Sequence, residues 1–391
     1  MPPAVHTLQQ DPVGSLPEEW DLAFAALGER PFRARQVFRW IHTRSVAEPD
    51  KMSDLARSLR EKLSGWGMHM PARVDTVHRA GDGTRKLLVA FPGSARGGTV
   101  ETVLIPPLPD EGEDPDEDDS PEAGTAEVRR VTQCISTQVG CAMGCVFCAS
   151  GVAGLKGHLT AGEIVAQVLL GRLLLEPGEA LRNVVLMGMG EPLHNYDAVA
   201  RALRLLTHPE GLNLSTRRVT VSTSGLVPEI ERLGRDFNGE VALAVSLHAP
   251  DDATRTALMP INKRHPLGEL LPALRRYPLA RRRRITIEYT LIDGVNASTD
   301  QARALVRVLR GIPAKVNLIP VNAVDGGVYK APTREGVLAF QSVLRAEGLS
   351  VFIRRTRGED IAAACGQLAL QGARPVRRAL PVVAPGGGRG G

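Results

Sequence analysis

The chain lacks any apolar run near the roughly 20 residues a helix needs to cross a bilayer. This predicts a protein with no membrane span. Met1 to Gln10 also lacks the charged start, apolar stretch and small-residue cleavage site of a signal peptide. Cysteine is scarce: five in 391 residues, an odd number. That argues against a secreted disulfide framework and leads to the expectation of a reducing cytoplasm. Basic residues are missing from 110–127, where ten acids stand among Pro, Gly and Ser. With no apolar period, 109–127 reads as an acidic disordered insertion.

What is present is an ordinary apolar content of 43%, enough for a sizeable core. Net charge is +5, but without those ten acids the 48 Lys and Arg exceed the remaining Asp and Glu by 15. Such a body suggests a polyanionic partner, nucleic acid first, against the plainer alternative of solvated surface charge.

Residues 1–15 read as a loose tail. From 16 to about 70, apolar residues recur at helical spacing, with Arg30, Arg33, Arg35, Arg39 and Arg44 between them. This is expected to be a small helical accessory domain touching RNA phosphate. Residues 71–108 hold three β-like runs split by glycine turns, a β-hairpin extension. From 128 to 370 strands and helices alternate six times, which argues an α/β fold with a parallel sheet. Six units are too few for a closed eight-stranded barrel and fit a partial (β/α)6 barrel, with its site at the C-terminal strand ends. Residues 371–391 read as a flexible basic tail, and Arg281 to Arg284, Arg354, Arg355 and Arg357 as further phosphate contacts.

The chemistry centres on Cys141, Cys145 and Cys148, at spacings of four and three. Thiolates are soft ligands that suit iron–sulfur clusters or zinc. Three cysteines on a four-iron cluster leave one iron open to a chelating small molecule. Zinc would want a fourth ligand, and His158 is the nearest candidate. The pattern C-x3-C-x2-C resembles the radical S-adenosylmethionine (SAM) signature, whose open iron binds the SAM amino and carboxylate groups. Gly188-Met189-Gly190-Glu191-Pro192, Ser222, Ser246-Leu247-His248 and Asn322 follow strand ends, where any one alone could be a turn residue. Cys134 and Cys365, taken by themselves, read sooner as buried thiols than as chemical groups.

Glu29 to Phe38, Val100 to Val103, Cys134 to Cys148, the Gly-Met-Gly-Glu-Pro segment, Ser246 to His248 and Arg357 to Leu368 together resemble the RlmN family. These are radical SAM enzymes that methylate carbon 2 of adenine in 23S rRNA and tRNA. The resemblance spans roughly residues 16–370; the acidic tract and the basic tail depart from it. It implies that Cys141, Cys145 and Cys148 hold a four-iron four-sulfur (4Fe-4S) cluster. Gly190, Glu191, Ser222, Ser246, Leu247, His248 and Asn322 would contact SAM, two molecules per turnover. Cys365 would carry the methyl, Cys134 would form a transient disulfide with it, and Glu101 would accept the proton. An external electron donor such as flavodoxin and a monomeric state complete the expectation. A Cfr-type adenine C8 methyltransferase shares these core motifs, and a non-catalytic zinc RNA-binding protein is the alternative from another class.

Overall fold

A computed structural model describes residues 8–93, 98–108, 128–322 and 328–368. The expected acidic insertion and basic tail lie outside the described residues. The described chain forms two compact units. The first takes in residues up to Val139, with Gly157–Gly188 and Asn195–Val219; the second takes in Gly140–Lys156, Met189–His194 and residues from Thr220 on.

In the first unit, helices Pro17–Ala26 and Pro31–His42 both open on proline, whose fixed φ suits a first helical position. The second of them buries Ala34, Val37, Phe38 and Ile41, one face at helical spacing. A third helix is Arg57–Gly65. Residues 8–15 correct the expectation of a loose tail. Leu8, Val13 and Ser15 are buried, and the Asp11 carboxylate accepts the N–H groups of Gly14 and Gly162, each at 2.9 Å. Burial raises the pKa of this carboxyl, and those bonds offset part of the cost. Of the five N-terminal arginines, Arg39 pairs with Glu210 at 2.9 Å and Arg44 stacks on Trp40.

Strands β1 (Arg73–Arg79), β2 (Arg85–Ala90) and β3 (Thr99–Ile105) pair antiparallel. β3 also pairs antiparallel with β4 (Arg129–Cys134), so the expected hairpin extension is continuous with the main sheet. Short β5 (Gln138–Val139) and β6 (Gly157–His158) pair with each other, and β7 (Glu179–Leu186) runs parallel to β4. Helices Ala161–Arg172 and Tyr196–Thr207 belong to this unit. A reciprocal Thr160–Glu163 cap starts the first of these two.

The second unit carries β8 (Val219–Thr223), β9 (Ala242–Ser246), β10 (Ile285–Leu291), β11 (Ala314–Pro320) and β12 (Ser350–Ile353), all parallel in that order. Helices Val227–Asp236, Leu267–Arg276, Thr299–Leu309 and Arg334–Ala346 provide the crossovers. The short helix Asp252–Leu258 and β12 have no counterpart in the sequence-based expectation; at seven and four residues they are too short for a clear period. Register brings Ser246, Glu288, Asn317 and Phe352 into one row across four strands. Among the described residues no helix is long and apolar enough to cross a membrane.

Candidate active site

The cysteine loop is built by backbone conformation. Gly140 has φ +74°, and a Cβ there would lie 1.9 Å from the Gly154 carbonyl oxygen, so only glycine fits. The Cys141 N–H donates to that same oxygen at 3.2 Å, and the Val146 N–H donates to the Leu258 carbonyl at 3.1 Å. Cys145, Val146 and Phe147 pack on Leu258, Met259, Ile292 and Val321.

Burial pushes the Cys141 thiol up to about 12, with Glu191 and Cys148 adding repulsion. Cys145 and Cys148 are also raised, again first by burial. Three mutually repelling, desolvated thiolates call for compensating positive charge, and a bound metal cluster provides it. Among the described residues no three His, Cys, Asp or Glu side chains converge on one ion. His158 keeps its Nδ1 within 3.0 Å of Gln138 Nε2.

Around that loop the strand ends supply polar groups. Gly190 has φ +106°. The Glu191 carboxylate accepts the Leu193 N–H at 3.0 Å and the Ser224 N–H at 2.7 Å. Burial raises its pKa while these bonds lower it. The Thr223 and Ser224 side chains lower it further.

His248 has φ +57°, a left-handed conformation uncommon outside glycine. Its carbonyl is held by Asn296 Nδ2 at 2.7 Å, and its ring meets Phe147 edge-on at 4.9 Å. Nδ1 accepts the Thr290 N–H at 2.9 Å, and burial pushes the ring down to about 3. The imidazole is therefore neutral with its proton on Nε2, a hydrogen-bond donor. Ser222 and Ser246 end β8 and β9, both part-exposed. Leu247 is buried, its N–H on Glu288 and its carbonyl on Ala249, so its side chain serves the core.

Cys365 arrives from far along the sequence. The Ala149 N–H donates to the Gly366 carbonyl at 2.8 Å, and the Ser150 hydroxyl to the Leu368 carbonyl. Gly366 has φ +85°, and a Cβ there would meet the Phe147 carbonyl at 3.3 Å. Cys365 is exposed and close enough to raise Cys148 by repulsion. Asn322, expected on SAM, donates from Nδ2 to the Cys365 carbonyl at 3.0 Å and accepts from the Thr356 hydroxyl at 3.0 Å. Arg357, expected on phosphate, is buried. Arg284 bonds Ser350 at 2.6 Å, and Arg283 bonds the Glu240 carbonyl at 2.9 Å.

Glu101 and Cys134 belong to the first unit, on adjacent β3 and β4. Glu101 is fully buried with Lys86 Nζ 3.1 Å away. The Thr102 hydroxyl donates to the Cys134 carbonyl and the Ser136 hydroxyl to the Glu101 carbonyl, both at 2.6 Å. All five cysteines are free thiols. Sequence inspection missed Lys86, Arg255, Glu288 and Asn296. Lys86 was legible only as an alternate residue two positions from Leu88; the others carry no motif. Glu288 is buried with its pKa raised by desolvation, and Asn317 donates to its Oε1 at 3.0 Å.

The Radical SAM superfamily matches residues 135–306, and the ribosomal RNA large subunit methyltransferase N-terminal domain matches 18–66. The dual-specificity RNA methyltransferase RlmN of Sorangium cellulosum is 61% identical over 94% of this chain and 98% of its own length. That of Anaeromyxobacter dehalogenans is 46% identical over 95% and 92%. A crystal structure of a radical SAM methyltransferase from Sphaerobacter thermophilus superposes with TM-score 0.81 at 44% identity, over 91% of this chain and 98% of that one.

Proposed function

The chain belongs to the RlmN family of radical SAM RNA methyltransferases, and from that premise we propose that it methylates carbon 2 of adenine in 23S rRNA and tRNA through Cys365. Cys141, Cys145 and Cys148 would hold the 4Fe-4S cluster, with SAM at Gly190, Glu191, Ser222, Ser246 and His248. Together, when bound, these groups supply an electron, a methyl group and a hydrogen-abstracting 5′-deoxyadenosyl radical.

The rest is the work of side chains. Carbon 2 lies between two ring nitrogens and is electron-poor, so it does not attack a methyl sulfonium. A thiolate does, and Cys365 takes the methyl first. After loss of one hydrogen, the methylene on its sulfur adds to carbon 2. Glu101, oriented by Lys86, accepts the carbon-2 proton. The adduct radical gives one electron back to the external one-electron carrier. Cys134 then attacks the Cys365 sulfur, the released methylene carbon takes up a proton, and the methylated base departs, leaving a disulfide for an external dithiol to reduce. Glu191 accepts from an ammonium, and the Nε2–H of His248 donates to a carboxylate or ribose oxygen. The target adenine must leave its stack to react. A flavodoxin-type donor and a monomeric enzyme complete the proposal.

The observation that supports it most directly is the pair of bonds from Ala149 and Ser150 to Gly366 and Leu368, which fastens an exposed Cys365 beside cluster ligand Cys148. After anaerobic reconstitution and exposure to SAM, the Cys365 peptide is expected to gain one methyl by mass spectrometry. Labelled methyl reaching RNA without ever residing on Cys365 overturns the route. Nuclease digests should contain 2-methyladenosine; 8-methyladenosine would overturn the position.

A further inference from the structure

Arg255 is fully buried, and its hydrogen-bond partners are neutral. Nη1 donates to Asn262 Oδ1 at 2.7 Å, and Nη2 to the carbonyls of Ser224 at 2.7 Å and Ser246 at 3.2 Å. Nε is buried with no hydrogen-bond partner. The neighbouring Asp252 spends its Oδ1 on Asn262 Nδ2 at 2.8 Å and on the Leu267 N–H at 2.9 Å. Burying a guanidinium costs several kcal/mol unless negative charge offsets it. Burial lowers the pKa of this guanidinium to about 10, and Cys145 and Asp252 both act against that fall.

The placement is rigid. Arg255 lies on the helix Asp252–Leu258, whose last residue accepts the Val146 N–H at 3.1 Å, one residue from Cys145. Cys145 itself packs on Leu258 and Met259. A buried, fixed cation thus shares a short helix with the residues on which a cluster ligand packs, away from solvent, where charge interactions are strong.

We propose that Arg255 is a positioning residue that raises the reduction potential of the cluster held by Cys141, Cys145 and Cys148. The electron, delivered by the external one-electron donor, adds a negative charge to a site already carrying three thiolates. The guanidinium stabilises that reduced form and so eases the step. The same two Nη contacts hold the β8 and β9 ends in place for cofactor. The inference rests on the cluster reading above.

The test uses the full-length protein, reconstituted anaerobically with iron and sulfide, and R255Q, R255M and R255K variants. Iron content is measured first, followed by an EPR-monitored redox titration without RNA. The neutral variants, R255Q and R255M, are expected to keep their iron. At a fixed potential their ratio of reduced to oxidised cluster should fall about tenfold, a midpoint lower by about 59 mV for a one-electron couple. R255K, which keeps the charge, should stay near wild type. R255Q retains a donor for the Ser224 carbonyl, so it reports on charge even if R255M does not fold. An unshifted midpoint in an iron-replete neutral variant overturns the inference, as does an R255K shift equal to that of R255Q. Wild type that takes up no iron overturns the cluster reading, and this inference with it.

Discussion

In the first unit two buried cations stand in ion pairs: Lys86 lies 3.1 Å from Glu101 and Arg85 2.6 Å from Glu179, with all four side chains at 2% exposure or less. In the second unit two buried charges rest on backbone dipoles instead. Glu191 accepts the Leu193 and Ser224 N–H groups, and Arg255 donates to the Ser224 and Ser246 carbonyls. A pair neutralises itself and locks strands together. A charge cradled by dipoles keeps its field for something else, which is why such groups gather where chemistry is done. The Lys86 and Arg85 pairs therefore tie strands together, whereas Arg255 acts on Cys145.

The sharpest break between the units should come from two cysteines. Cys365→Ala is expected to abolish methylation while iron content and thermal unfolding stay at wild-type values. Cys134→Ala should instead accumulate protein covalently joined to RNA, visible as a shifted band; normal turnover would make Cys134 a mere core thiol. Next in size is Lys86→Met, which removes the cation 3.1 Å from buried Glu101. Loss of about 3–5 kcal/mol is expected in chemical denaturation, and K86M/E101Q should recover part of it.

Acid acts on both units, since among the described residues each holds a buried histidine with a strongly lowered pKa. Burial pushes both His42 and His248 down from 6.5 to about 3. Folding keeps them neutral, whereas the unfolded chain protonates them below pH 6.5. Their stabilising contribution is therefore complete above pH 6.5 and is lost as pH falls from there toward 3. The slope is about 1.4 kcal/mol per pH unit for each histidine. His42→Phe, a stacking partner for Phe38, should halve that slope in urea unfolding between pH 6 and 4. An unchanged slope would mean that His42 protonates without unfolding. The smallest effect should be at Thr160: T160A removes the cap of helix Ala161–Arg172 and should cost about 1 kcal/mol, with methylation unchanged.

Much of this architecture was readable from pattern. Alternating β-branched runs and amphipathic helices gave the strand–helix order from Arg129 to Ala346 within a few residues, because burial of one face leaves a period in the sequence. Residues 8–15 differ from expectation because their order comes from contacts with no local period: burial of Leu8 and Val13, and Asp11 bonding Gly162, 151 positions away. Asn322 is expected on the cofactor from the family resemblance; that its amide also bonds the Cys365 carbonyl is written in no local pattern. Arg255 looked like one more charge on a polar segment; nothing in Thr254-Arg255-Thr256 announces full burial.

The thiol triad was fixed by sequence alone, because ligand spacing on one glycine-bent loop is a local property of the backbone. So was the α/β class, since periodicity is local too. What only the tertiary structure decided is which distant groups share that loop: Cys365 against Cys148 through Gly366, and the Arg255 cation against Cys145. Those contacts depend on burial and on strand register, both of which emerge only when remote segments compete for the same core.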